Sequence, residues 1–124
     1  MPDYSSKISD FLSFLRECEV QNRIADLTVA DMDSQTQDIL HNIELNENNQ
    51  YDYICQGFTL RDVRQKRRMA KDTREVTTPI CDWIADNPKV IKELERLLGE
   101  VRKVEKRSQN RSYINRTEIM KKVK

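Results

Sequence analysis

The stretch that decides the fold is Ile8–Leu45, ISDFLSFLRECEVQNRIADLTVADMDSQTQDILHNIEL. One seam of its heptad pattern holds Ile8, Leu15, Asn22, Val29, Thr36 and Ile43; a second holds Phe11, Cys18, Ala25, Met32 and Ile39. Leu12, Ile24, Leu40 and Leu45 widen the stripe, and the other positions are largely Asp, Glu, Gln, Asn and Ser. Apolar residues at alternating three- and four-residue steps turn one face of a helix toward a core. A helix of about 40 residues at 1.5 Å per residue is roughly 60 Å long, more than the width of a compact domain of this size. It must protrude and pair with something, or break. Thr28-Val29 and Ser34-Gln35-Thr36 are the weak points, because helix propensity falls there. Asn22 sits in the seam. A buried Asn fixes register at a cost in stability, but the preferred reading is a slight rotation that leaves Asn22 solvated.

Downstream, residues 46–58 (NENNQYDYICQGF) break the period, and consecutive Asn with Gly57 read as a loop. Tyr51, Tyr53, Ile54 and Phe58 are then expected to cap the end of a bundle, with a binding hot spot as the alternative. Thr59, with Asp62 three positions on, reads as a helix N-cap. The helix it opens runs through Leu60, Val63, Arg67, Ala70 and Arg74 toward Val76 and Thr77. Pro79 predicts a kink or short break near Thr77-Thr78, after which Ile80, Cys81, Trp83 and Ile84 resume the pattern. Asp86-Asn87-Pro88 is a stop and restart, with Asn87 as N-cap and Pro88 at the first helical position. The third helix carries Val90, Ile91, Leu94, Leu97, Leu98, Val101 and Val104. Its stripe is interrupted only by Gly99, where another backbone is expected to approach closely. Residues 108–124 read as a basic tail, in which Tyr113-Ile114 and Ile119-Met120-Val123 form a docking segment or stay disordered.

Two Gly and three Pro among 124 residues, with 35% charged and 6% aromatic side chains, argue for helices and a thin core. The expected fold is all-α: a long acidic helix over 8–45 packed against a helical hairpin of 59–86 and 88–107, as a three-helix bundle or coiled-coil-like assembly. A seam on 8–45 longer than its own domain implies a homodimer through that helix.

Charge is sorted along the chain. Residues 1–50 hold 10 Asp/Glu against 3 Lys/Arg, residues 51–101 hold 9 against 10, and residues 102–124 hold 2 against 9. A formal net charge of +1 therefore hides a strongly dipolar sequence, suited to partners of opposite charge. The candidate contact residues are the basic run Arg61, Arg64, Lys66, Arg67, Arg68, Lys71 and Arg74. To these the C-terminal part adds Arg102, Lys103, Lys106, Arg107, Arg111 and Arg116. Arg61, Arg64, Arg68 and Lys71 share one helical face. They either grip phosphates on nucleic acid or face the acidic first helix and water, which is the preferred reading. No aromatic residues interleave with the run for base stacking.

Chemistry is poorly provided for. Cys18, Cys55 and Cys81 are odd in number and form no Cys-x-x-Cys pair, and a single His41 cannot complete a zinc set. Free thiols fit a reducing cytoplasm. Asp38 and His41 share a face, but a di-iron bundle needs a second acid-x-x-His pair. No Gly-rich phosphate loop and no Cys-His or Ser-His set is legible. The expectation is a non-enzyme without metal or cofactor. No signal-peptide pattern opens the chain, and no run approaches the roughly 20 apolar residues of a membrane span.

The run Val63-Arg64-Gln65-Lys66-Arg67-Arg68-Met69-Ala70-Lys71-Asp72 is followed by Pro79, Trp83 and Asn87. Leu97-Leu98-Gly99-Glu100-Val101-Arg102-Lys103-Val104-Glu105 and Arg111-Ser112-Tyr113-Ile114-Asn115-Arg116-Thr117 come after. Together, over roughly residues 38–117, they resemble small uncharacterised helical proteins of bacteriophages and prophages of Gram-positive bacteria. Such proteins have no assigned active site, so no functional residue carries over. The resemblance implies a bacterial cytoplasmic setting and an accessory role in replication, recombination or counter-defence. The expected partner is a host or phage protein with an acidic surface; nucleic acid held by the same basic residues is the alternative.

Overall fold

In a computed structural model, residues 3–112 are described, and the chain forms three helices: α1 (Tyr4–Leu45), α2 (Gln50–Asp86) and α3 (Pro88–Gln109). Among the described residues there is no strand. The all-α expectation holds, and α1 packs against both other helices. Contacts divide the chain into two units, Met1–Leu12 with Lys89–Lys124 and Ser13–Pro88. Arg116 and the docking segments expected in 113–124 lie outside the described residues.

In the larger unit, α1 and α2 form an antiparallel pair joined by the four residues Asn46–Asn49. The pairing keeps a constant register: Asp33 meets Arg67, Asp26 meets Arg74, Asn22 meets Thr77 and Cys18 meets Cys81. In each pair the two residue numbers sum to 99 or 100, so a heptad step along α1 is matched by a heptad step back along α2. Leu15, Cys18, Ala25, Val29 and Met32 of α1 are buried with Val63, Ala70 and Thr77 of α2. Ala25, Val29 and Ala70 form the central cluster, where small side chains let the helices approach closely.

Several expectations are corrected here. The loop is 46–49 and not 46–58, because Asn49 caps α2 ten residues before Thr59. The Asp52 N–H donates to Asn49 Oδ1 at 2.8 Å, and the Asn49 N–H donates to Asp52 Oδ2 at 3.1 Å, a complete capping box. Thr59 lies inside the helix and donates its hydroxyl to the Cys55 carbonyl. Gly57 is an ordinary helical position, and among the described residues a Cβ at either Gly57 or Gly99 would meet nothing within 4 Å, so none of their backbone closes on Gly99. With its start moved to Gln50, α2 has 37 residues against the 42 of α1. It thereby occupies the α1 seam that a second copy was expected to fill.

Neither expected weak point breaks a helix. Thr28 and Thr36 donate to the carbonyls of Ile24 and Met32, both at 2.8 Å, so each hydroxyl is satisfied one turn back within an unbroken helix. α2 likewise continues through Pro79. There Thr77 donates to the Thr73 carbonyl at 2.8 Å and Thr78 to the Arg74 carbonyl at 2.6 Å. Asn22 is half-buried and not solvated. Its Nδ2 donates to Thr77 Oγ1 at 3.0 Å, Thr78 Oγ1 at 3.1 Å and the Arg74 carbonyl at 3.4 Å. Asn87 serves the end of α2, its Nδ2 donating to the Trp83 carbonyl at 2.8 Å and its N–H to that of Ile84, and Pro88 opens α3 as expected.

In the smaller unit, the first turns of α1 meet α3. Ser5 and Leu12 are buried, and the Ser5 N–H donates to Glu105 Oε1 at 2.9 Å. Phe11, assigned to the seam, is 46% exposed while Leu12 is 4% exposed. A 3.6-residue helix drifts against a 3.5-residue pattern, and at this end the neighbouring position faces inward. α3 has no fully buried residue.

Leu15→Ala should cost about 2–5 kcal/mol in urea unfolding, as large-to-small changes at buried leucines do. Leu27→Ala, at a position 72% exposed, should stay within about 0.5 kcal/mol. A pH effect belongs to the α1 cap. Asp3 Oδ1 accepts from the Ser5 hydroxyl at 2.7 Å and the Ser6 N–H at 3.2 Å. These bonds, the Ser5 one first, hold its carboxyl below the ordinary 3.8. A folded-state value that is lowered stabilises fully above 3.8 and is lost as pH falls through the folded value. The protection factor of the Ser6 amide, its NMR exchange rate set against the intrinsic rate at the same pH, should therefore fall on acidification below 3.8 and hold level above about 5.

Candidate interaction surface

Register decides which basic residues are free to meet a partner. Arg67 turns inward beside Val63 and Ala70, and its Nε donates to Asp33 Oδ1 at 2.6 Å. Arg64 Nη1 lies 3.9 Å from the same oxygen, and Arg74 Nη1 donates to Asp26 Oδ1 at 2.9 Å. Three of the seven residues of the basic run are thus bound to the acidic helix, in line with the preferred reading. Arg68 is drawn to Asp72 one turn on within α2, at 3.9 Å. Arg61 and Lys66 are exposed and Lys71 is half-buried. These partly exposed pairs contribute about 0–1 kcal/mol each, enough to set orientation.

The residues left outward share a face that the sequence reading divided between a loop and a helix. Tyr51, Ile54, Phe58, Arg61, Gln65 and Arg68 follow one another at steps of three and four on α2, so they stack along one side of it. Tyr51 is 71%, Ile54 53% and Phe58 65% exposed. The aromatic residues therefore do not cap a bundle. They form the apolar head of a strip whose tail is arginine. The spacing is present in the sequence, but it defines a face only because α2 starts at Gln50.

In the smaller unit, Lys103, Lys106 and Arg107 line a shallow recess of about 460 Å³ with Asn110. Arg102 is exposed near the Asp3 carboxylate, which it helps hold ionised, and Arg111 is exposed. Lys103, Lys106 and Arg107 are grouped by helical spacing on α3.

Other candidate groups are placed as follows. His41 is exposed. Cys18, Cys55 and Cys81 are free thiols. Cys81 donates to the Cys18 carbonyl at 3.6 Å. Burial, then the nearby Glu19 carboxylate, pushes its thiol pKa up, the reverse of an activated nucleophile. Among the described residues no group of three or more His, Cys, Asp and Glu could hold a metal ion. No helix among them is long and apolar enough to cross a membrane. No protein-family model, curated protein or solved structure matches the chain.

A double-mutant cycle on Asp33→Ala and Arg67→Ala, read by urea unfolding, should give a coupling of roughly 0.5–1 kcal/mol. The coupling should shrink in 1 M salt, where the Debye length falls to about 3 Å.

Proposed function

We propose that the chain is a non-enzymatic helical interaction protein that docks the outer face of α2 on a protein partner. The observation that carries this is the exposed strip Tyr51, Ile54, Phe58, Arg61 and Arg68. Aromatic residues and arginine dominate binding hot spots because they combine large apolar area with directed polar contacts. A helix that lays such a strip into a groove is a recurrent recognition mode. The fitting partner is a protein with an apolar groove that ends in an acidic rim. The apolar part receives Tyr51, Ile54 and Phe58, and the rim receives the two arginines. The resemblance to phage and prophage proteins supports an accessory factor that binds and modulates a host or phage protein in the bacterial cytoplasm.

A second reading, nucleic-acid binding, is favoured by Lys103, Lys106 and Arg107 around one recess. It would use these three on phosphates, while Arg64, Arg67 and Arg74 are engaged by α1 carboxylates.

The test is co-purification from a bacterial host with the wild-type chain and a Phe58→Glu variant as baits, with folding checked by circular dichroism. A protein retained by the wild type and lost with Phe58→Glu is expected. Retention of the same proteins by both baits counts against the strip. Retention on duplex DNA at about 50 mM salt that falls 10³-fold or more by about 200 mM would favour the second reading.

A further inference from the structure

The α1–α2 pair has two sides, and one of them carries the ion pairs between the helices. On that side Asp26 and Asp33 reach Arg74, Arg67 and Arg64. On the other side a groove of about 260 Å³ runs between the helices, floored by Ala25 and Ala70 and walled by Ile24 and Met69. Met69, Val76 and Trp83 continue this wall at seven-residue intervals along α2, and are 70%, 69% and 42% exposed. Large apolar side chains seven apart beside an alanine floor make a seam for a third helix, which small floor residues allow to come close.

The chain also carries a helix with an unfilled apolar face. α3 has a long apolar stripe but no fully buried residue. Leu97 is 44% and Val104 53% exposed, and they border a groove of about 430 Å³ beside Tyr4. At 22 residues α3 is about 33 Å long, against about 21 Å for the rise from Met69 to Trp83. Charge agrees as well. Glu17 and Asp31 stand one heptad to either side of Ile24 on the α1 wall, opposite Lys66 on the α2 wall, whereas residues 88–109 hold 7 Lys/Arg against 4 Asp/Glu.

We propose that the occupant of the groove is α3 of a second copy, docked through its Leu97–Val104 strip, and that the exchange is reciprocal. Two copies related by a two-fold axis each fill the other's groove, so the assembly closes at a dimer. The surface differs from the α1 seam, which α2 fills within the chain. It also differs from the outer strip of α2, so the proposal goes beyond the partner-binding reading and stands or falls separately from it.

Light scattering at micromolar concentration tests it. The wild type should be a dimer, while Val76→Glu and Leu97→Glu, both at exposed positions, should keep their helical circular dichroism and become monomers. Each change should raise the dimer Kd at least roughly 30-fold, the scale of losing a hot-spot side chain. Mixing the two variants should restore a dimer, because Leu97→Glu offers an intact groove and Val76→Glu an intact α3. A monomeric wild type, a dimer indifferent to either change, or a mixture that stays monomeric would overturn the proposal. A monomeric mixture would mean that like faces pair or that α3 closes on its own groove.

Discussion

The larger unit depends on one constraint, the fixed register between α1 and α2. The four-residue turn at Asn46–Asn49 forces the helices antiparallel and sets the first pairing. From there Asp33–Arg67 and Asp26–Arg74 repeat it one heptad apart. Asn22 adds a polar contact that only one register satisfies, because its amide reaches the hydroxyls of Thr77 and Thr78 together. A shift of one residue along either helix would carry the carboxylates off their arginines and leave the half-buried amide without those acceptors. Apolar contacts alone would not discriminate so well. The central cluster is Ala25, Val29 and Ala70, whose small side chains tolerate sliding, with the larger Leu15 and Met32 buried to either side. Polar groups in the seam thus supply specificity that the thin core lacks, the use for which a buried asparagine is best attested.

Much of this was legible because the α1 pattern is long and regular. Leu15, Asn22, Val29, Cys18, Ala25 and Met32 all face α2, as the heptad spacing implies. Failure came where local chemistry competes with period. Asn-rich sequence is a turn signal, but Asn49 spends that preference on capping α2, and the three residues before it suffice for the reversal. Gly57, Thr59 and Pro79 are each helix-unfavourable, yet they sit within a helix held along its length by pairing to α1. Tertiary packing outweighs propensity costs of about 1–3 kcal/mol per residue. Asn22 differs from its expected solvation for a related reason. Its partners are two hydroxyls from a distant segment, and no local pattern announces that Thr77 and Thr78 arrive opposite it.

The surface was only half legible. Sequence alone identified the basic run and the choice between pairing with α1 and facing outward, but it could not divide the run residue by residue. That division follows from register, since Arg67 and Arg74 occupy seam positions while Arg61 and Arg68 lie on the outer side. The aromatic head of the outer strip was seen as residues and missed as a face. A face exists only once the segment is known to be helical.

Segregated charge therefore does two jobs in two places, and geometry separates them. Near α1, arginine and aspartate neutralise one another and are spent on orientation, which is why the net excess of acid in residues 1–50 is no guide to the polarity of the α1–α2 seam. Along the outer side of α2, no α1 carboxylate pairs with Arg61, which follows exposed Phe58 by one turn instead. The arginines that look alike in the run differ in what they cost to recruit. Engaging Arg67 would break a 2.6 Å pair inside the fold, whereas engaging Arg61 displaces only water. A partner that selects by charge will take the cheaper residues first, and these are the ones beside the apolar head. Position in the heptad, more than the number of positive charges, sets where this chain can be gripped.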